Sequence, residues 1–155
     1  MVAYPTRNGV IAGLIGSTGQ HIALFQNTSH ALNTVADMLP LHAGDEVIVT
    51  DLEFPSNTFP WVKLQQRGIH VTWVRNHDGV LEPGDIEKAL GPRTRAVAVS
   101  HVCYYNGFRM DLETIAETTS KSGILLIVDA MQSLGALQID VRKLRMDFLA
   151  SNSYK

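Results

Sequence analysis

Ile124-Leu125-Leu126-Ile127-Val128 is an unbroken apolar run that ends on an acid, Asp129, and passes into Ala130-Met131-Gln132. Consecutive apolar residues without polar alternation suit a strand covered on both faces, the environment of a parallel sheet flanked by helices. Downstream, Phe148-Leu149-Ala150 repeats the pattern and leads into Ser151-Asn152-Ser153-Tyr154-Lys155. Two buried strands thus deliver polar groups at their carboxyl ends, an acid from one and an amine from the other.

Outward from this pair the chain alternates between two periods. Strand-like runs occur at His21–Phe25, Glu46–Thr50, His70–Val74, Ala96–His101, Ile124–Asp129 and Phe148–Ser151. Between them, apolar residues recur at three- and four-residue steps: Ala31, Val35, Met38 and Leu39; then Ile86, Ala89 and Leu90; then Leu112, Ile115 and Ala116. Thr28 or Ser29 can cap the first of these helices, and Asp111 the last. Gly44, Gly68, Gly91 and Gly123 fall just before strands, where a left-handed turn is often needed. This order predicts an α/β fold, a three-layer sandwich around a mainly parallel sheet. No repeat, low-complexity tract or linker divides residues 1–155, which are read as one unit. A helix at about Arg7–Ile15 has no strand before it, and the last strand has no helix behind it. The unit is therefore expected to be part of a larger domain, incomplete at both ends.

Composition narrows the function classes. With 45% hydrophobic and 18% charged residues the chain has the balance of a globular domain. At 155 residues such a domain buries roughly 70% of its unfolded surface. A net charge of −2 with no basic run argues against a nucleic-acid surface. No apolar stretch approaches the roughly 20 residues of a membrane span, and the first residues lack a signal-peptide pattern. A single cysteine, Cys103, excludes an internal disulfide, and the six histidines show no metal-ligand spacing. A cytoplasmic location is the expectation.

In open α/β sheets ligands collect outside the carboxyl ends of the strands, which makes Asp129 the first candidate. A carboxylate beside a pyridinium nitrogen keeps that nitrogen protonated, and an amine such as that of Lys155 can condense with an aldehyde. A cofactor with both groups fits the pair, and pyridoxal phosphate is the natural candidate. Gln132 could reach a ring hydroxyl of the same ligand. Taken alone, Asp129 could equally cap the next turn, and Lys155 could be an exposed lysine. Asn27-Thr28-Ser29-His30-Ala31 starts a helix where free N–H groups, the helix dipole and two hydroxyls suit a phosphate, although a plain cap is common there. Tyr154, Ser151 and Ser153 offer further donors. Phe54 follows the Glu46–Thr50 strand and could stack on a ring, or belong to the core. No G-x-G-x-x-G, P-loop or G-x-S-x-G is present.

Taken in order, these segments resemble the class V aminotransferase family of fold-type I pyridoxal-phosphate enzymes, which includes cysteine desulfurases, kynureninases and isopenicillin-epimerase-like proteins. The matching stretches are Asn27–Asn33, Gly44–Val49, Phe54–Asn57 through Pro60-Trp61, Ser100-His101-Val102, Gly107–Leu112, Val128–Gly135, and Asp147–Ser151 ending in Tyr154-Lys155. The Asp-x-x-Gln of Asp129 and Gln132, followed by the lysine, is the strongest part.

The resemblance implies that Lys155 forms the Schiff base, Asp129 pairs with the pyridine nitrogen and Gln132 contacts the phenolic oxygen. It assigns Thr28, Ser29 and Tyr154 to the phosphate and Phe54 to the face of the ring, with His101 near the cofactor. It also implies an amino-acid substrate and a homodimer of the full-length protein. Some positions depart from the family pattern. Desulfurases usually have a histidine at Phe54 and an asparagine near Tyr104, which weighs against that activity. Tyr154 before the lysine is kynureninase-like, yet kynureninases tend to have an acid near Asn57. Cys103 precedes the lysine, whereas the desulfurase cysteine lies far beyond it. The small C-terminal domain, with its substrate-binding arginine, is not in the sequence. A terminal carboxylate on Lys155 would favour a protonated amine, so little turnover is expected from the 155 residues alone. Two other readings are a non-catalytic α/β binding module derived from such an enzyme and a nucleotide-binding doubly wound domain. The missing glycine fingerprint disfavours the latter.

Overall fold

Strands whose side chains are all apolar need cover on both faces, and the centre of this molecule supplies it. The computed structural model describes residues 6–153. Its sheet contains β1 (Glu46–Thr50), β2 (His70–Val74), β3 (Thr94–Ser100), β4 (Leu125–Asp129) and β5 (Phe148–Ala150). The spatial order is β2-β1-β3-β4-β5, and every neighbouring pair is parallel. Five helices accompany it: α1 (Arg7–Leu14), α2 (Thr28–Met38), α3 (Phe59–Lys63), α4 (Pro83–Ala89) and α5 (Leu112–Lys121). Among the described residues no helix is long and apolar enough to cross a membrane.

The register builds two cores. Val49, Ala98 and Ile127 lie side by side across β1, β3 and β4. They pack in one cluster with Leu32 and Ala36 of α2, Trp61 of α3 and Leu64. The alternate row, Ile48, Val97 and Leu126, packs on the other face against Ile86 of α4 and Ile115 and Ala116 of α5. The alternation of side chains along each strand thus feeds two apolar layers from one continuous apolar sequence. The three-layer α/β arrangement expected from the sequence is the observed one.

Local chemistry sets the element ends. Asp111 caps α5, its carboxylate accepting the Thr114 N–H at 3.1 Å. The cap of α2 is Asn27, not Thr28 or Ser29: its side-chain oxygen accepts the His30 N–H at 2.8 Å, which places both hydroxyl residues inside the first turn. Gly68 ends the turn before β2 at φ 79°, and a Cβ there would meet the Ala43 Cβ at 3.0 Å. Gly91 does not adopt the left-handed backbone expected of it, and its N–H donates to the Thr94 hydroxyl at 2.9 Å.

One stretch differs from expectation: His21–Phe25 is not a strand. Gly19–His21 forms a 3₁₀ turn, and the Asn8 amide donates to the Ile22 carbonyl at 3.0 Å. Those backbone groups are spent locally, and Leu24 and Phe25 remain exposed. Residues 55–67, which carry no clear helical repeat, form two 3₁₀ turns around α3. Pro55 and Pro60 sit in first turns, where a missing N–H costs nothing.

Ile127→Ala truncates the β4 member of a fully buried row and is expected to lower the unfolding free energy by about 2–5 kcal/mol, read by urea denaturation. Asp111→Ala removes a single exposed cap and should cost only about 1 kcal/mol in the same measurement.

Candidate active site

Order β2-β1-β3-β4-β5 means that the chain leaves β1 in one direction and β3 in the other. The crevice outside the carboxyl ends of these two strands is the topological switch point. At the same edge of the sheet Ser100 of β3 stands in register with Asp129 of β4, and Asp129 with Ala150 of β5. The polar residues that end the apolar runs are therefore neighbours.

Asp129 is buried. One carboxylate oxygen accepts the Met131 N–H at 2.9 Å, and its main-chain carbonyl accepts the His101 N–H at 2.9 Å. It thus closes the turn after β4, as the plainer sequence reading allowed, while lying at the strand end. Thr28, buried in the first turn of α2, places its hydroxyl 3.5 Å from the Met131 sulfur. That contact sets the amino end of α2 beside the Asp129 turn. The N–H groups of Thr28 and Ser29 lie outside the intrahelical ladder, as first-turn groups do. Ser29 is exposed there. Ser151, just past β5, donates to the Ala130 carbonyl at 3.3 Å. Gln132 is half-buried at the same turn. Tyr154 and Lys155 lie outside the described residues.

His101 follows β3 and is only 3% exposed, yet its Nδ1 has no hydrogen-bond partner among the described residues. Burial, and then the positive charge of Arg109, hold its pKa below the ordinary histidine value. Both effects favour the neutral imidazole. A buried ring nitrogen without a partner is rare in native proteins. Phe54 reaches the same edge from β1. It is half-exposed and meets the Tyr104 ring edge to face, with centroids 5.0 Å apart.

The residue that sequence reasoning missed is Glu53. It is 8% exposed and sits between the carboxyl ends of β1 and β3. One oxygen accepts the Thr50 hydroxyl at 2.7 Å and the Ser100 N–H at 2.9 Å. The other accepts the Asn57 amide at 2.7 Å and the Ser100 hydroxyl at 2.5 Å. Burial raises its pKa above the usual glutamate value, and these hydrogen bonds pull against that rise. The available signal was an acid between Leu52 and Phe54, directly after a buried strand. Cys103 is buried at the same edge, with its thiol on the Leu52 carbonyl at 3.5 Å.

Comparison with known proteins agrees with this fold. The family described as Aminotransferase class-V matches residues 3–155. A probable cysteine desulfurase of Methanothermobacter thermautotrophicus is 38% identical over 146 residues, covering 94% of this chain and 36% of the relative. An uncharacterized aminotransferase of Bacillus subtilis is 34% identical over 144 residues, covering 93% of this chain and 38% of the relative. The solved apo structure of a cysteine desulfurase from Thermococcus onnurineus NA1 superposes with a TM-score of 0.91 at 32% identity, covering 96% of this chain and 38% of that one. The chain thus spans little more than a third of the length of these relatives. A family match over residues 3–155, on a sheet that superposes on a solved member at 32% identity, has one reading: the chain belongs to the class-V aminotransferase family.

Proposed function

We propose that these residues form the cofactor-binding part of a pyridoxal-phosphate-dependent enzyme acting on an amino acid. The observation that carries the reading is the orphaned Nδ1 of buried His101, one backbone hydrogen bond from Asp129 at the carboxyl edge of the sheet. A flat heteroaromatic ligand entering there would meet a neutral imidazole and a buried acid. The first turn of α2, held at the Asp129 turn by the Thr28–Met131 contact, suits its phosphate. The donor set fits pyridoxal phosphate, which when bound supplies an electron sink for the bonds of the substrate α-carbon.

The chain's own groups then divide the work. Asp129 would hold a proton on the pyridine nitrogen, Gln132 would orient the phenolic oxygen, and Thr28, Ser29 and Tyr154 would bind the phosphate. Phe54 would cover the ring, and Lys155 would supply the amine that holds the cofactor. Residues 1–155 are read as the large domain, with a small C-terminal domain outside them. The full-length protein is read as a cytoplasmic homodimer that uses neither nucleic acid nor membrane. Two of the relatives reported above are named cysteine desulfurases, so cysteine is the first amino acid to try.

Adding pyridoxal phosphate to the chain is expected to produce a visible absorption band that borohydride traps as a covalent adduct on Lys155. Lys155→Ala should abolish the band and the adduct, and Asp129→Ala should weaken the band. A wild-type chain that gives no band, or a band unchanged in Lys155→Ala, overturns the reading and favours a non-catalytic module.

A further inference from the structure

The carboxylate of Glu53 lies in the switch-point crevice, where an open α/β sheet ordinarily receives its ligand. Here the protein fills that crevice with its own acid. The hydrogen-bond directions leave little choice about why. The indole Nε1–H of Trp61 can only donate, and it donates to the Asn57 Oδ1 at 3.1 Å. The Asn57 amide nitrogen must therefore face Glu53, where it donates to Oε2. The main-chain N–H of Ser100, also donor-only, points at Oε1. Each oxygen of residue 53 thus faces one obligate donor and one hydroxyl, from Thr50 or Ser100. Only a carboxyl group offers two acceptors in this geometry. Glutamine would turn its NH₂ against either Ser100 N–H or Asn57 NH₂.

The network connects parts of the site that share no direct hydrogen bond. Ser100 precedes His101 and stands in register with Asp129, while the main chain of His101 bonds to both Asp129 and Met110. On the other side Glu53 precedes Phe54, and Asn57 ends the turn that Phe54 begins. Through Trp61, fully buried under the sheet, the same contacts lock α3. Among the described residues no cation pairs with Glu53; four hydrogen bonds take that place.

We propose that Glu53 is a positioning residue that sets the imidazole of His101 and the ring of Phe54 at the edges of the cofactor pocket, by tying the ends of β1 and β3 together. This rests on the proposed cofactor site but is tested apart from it. Glu46 supplies the control. It lies at the opposite end of the same strand and accepts hydroxyl hydrogen bonds from Thr72 and Thr94. A merely structural role would make the two acids equivalent.

The experiment compares Glu53→Gln, Ser100→Ala and Glu46→Gln with the wild-type chain by two readouts. The first is the NMR resonance and titration of the His101 ring without cofactor. The second is the half-saturation concentration of pyridoxal phosphate, followed by the visible band. Glu53→Gln is expected to move the His101 resonance and to raise the half-saturation concentration about tenfold. Ser100→Ala, which keeps the backbone donor, should do the same to a smaller degree. Should Glu53→Gln not fold, Ser100→Ala alone decides the matter. Glu46→Gln should lower the melting temperature yet leave both readouts in place. A His101 resonance unmoved in the foldable variant, or moved equally by Glu46→Gln, overturns the proposal. A wild-type chain that binds no pyridoxal phosphate overturns the cofactor reading instead, and the His101 titration still judges Glu53.

Discussion

A parallel strand buried on both faces has nowhere to put a polar side chain except at its ends. The rest of this molecule follows from that constraint. Ile48, Val97, Ala98, Ile127 and their neighbours are wholly excluded from water, so every polar residue of β1, β3 and β4 gathers at one sheet edge or the other. At the amino edge Glu46 ties Thr72 and Thr94. At the carboxyl edge Thr50, Glu53, Ser100, His101 and Asp129 come together. The hydrophobic effect thus builds the site indirectly, by sorting residues along each strand before any of them interacts with a ligand.

The two edges differ in what they leave unfinished. Glu46 is partly exposed and both its oxygens accept hydroxyl donors, which suits a purely structural brace. At the carboxyl edge three ionisable groups are buried together, and burial of a charge is costly unless hydrogen bonds offset it. Glu53 is offset by four donors. His101 escapes the cost by staying neutral, at the expense of an unpaired Nδ1. Among the described residues that atom is the buried side-chain nitrogen or oxygen left without a partner.

Where local chemistry governs, residues were legible in advance. Asp111 was read as a cap and caps α5; Glu46–Thr50 and His70–Val74 were read as strands and have those bounds. Asp129 was recognised because an acid stands out at the end of an apolar run. His21–Phe25 misled because a short apolar run specifies a strand only if a neighbour offers a ladder, and here Asn8 and a tight turn take the backbone groups instead. The first turn of α2 was placed at the right segment but its cap was read one or two residues late, since Asn27 competes with Thr28 and Ser29 for the same task.

Sequence by itself determined the class of fold, the strand ends at which chemistry would collect, and the identity of the acid at β4, because apolar periodicity and its interruptions are local properties. Tertiary structure alone decided which ends became neighbours. Strand order placed β1 beside β3 across a break of more than forty residues, and so brought Glu53 to Ser100. No pattern within either segment encodes that meeting. It depends on how the layers of helices divide the two faces of the sheet, and only the assembled core settles that.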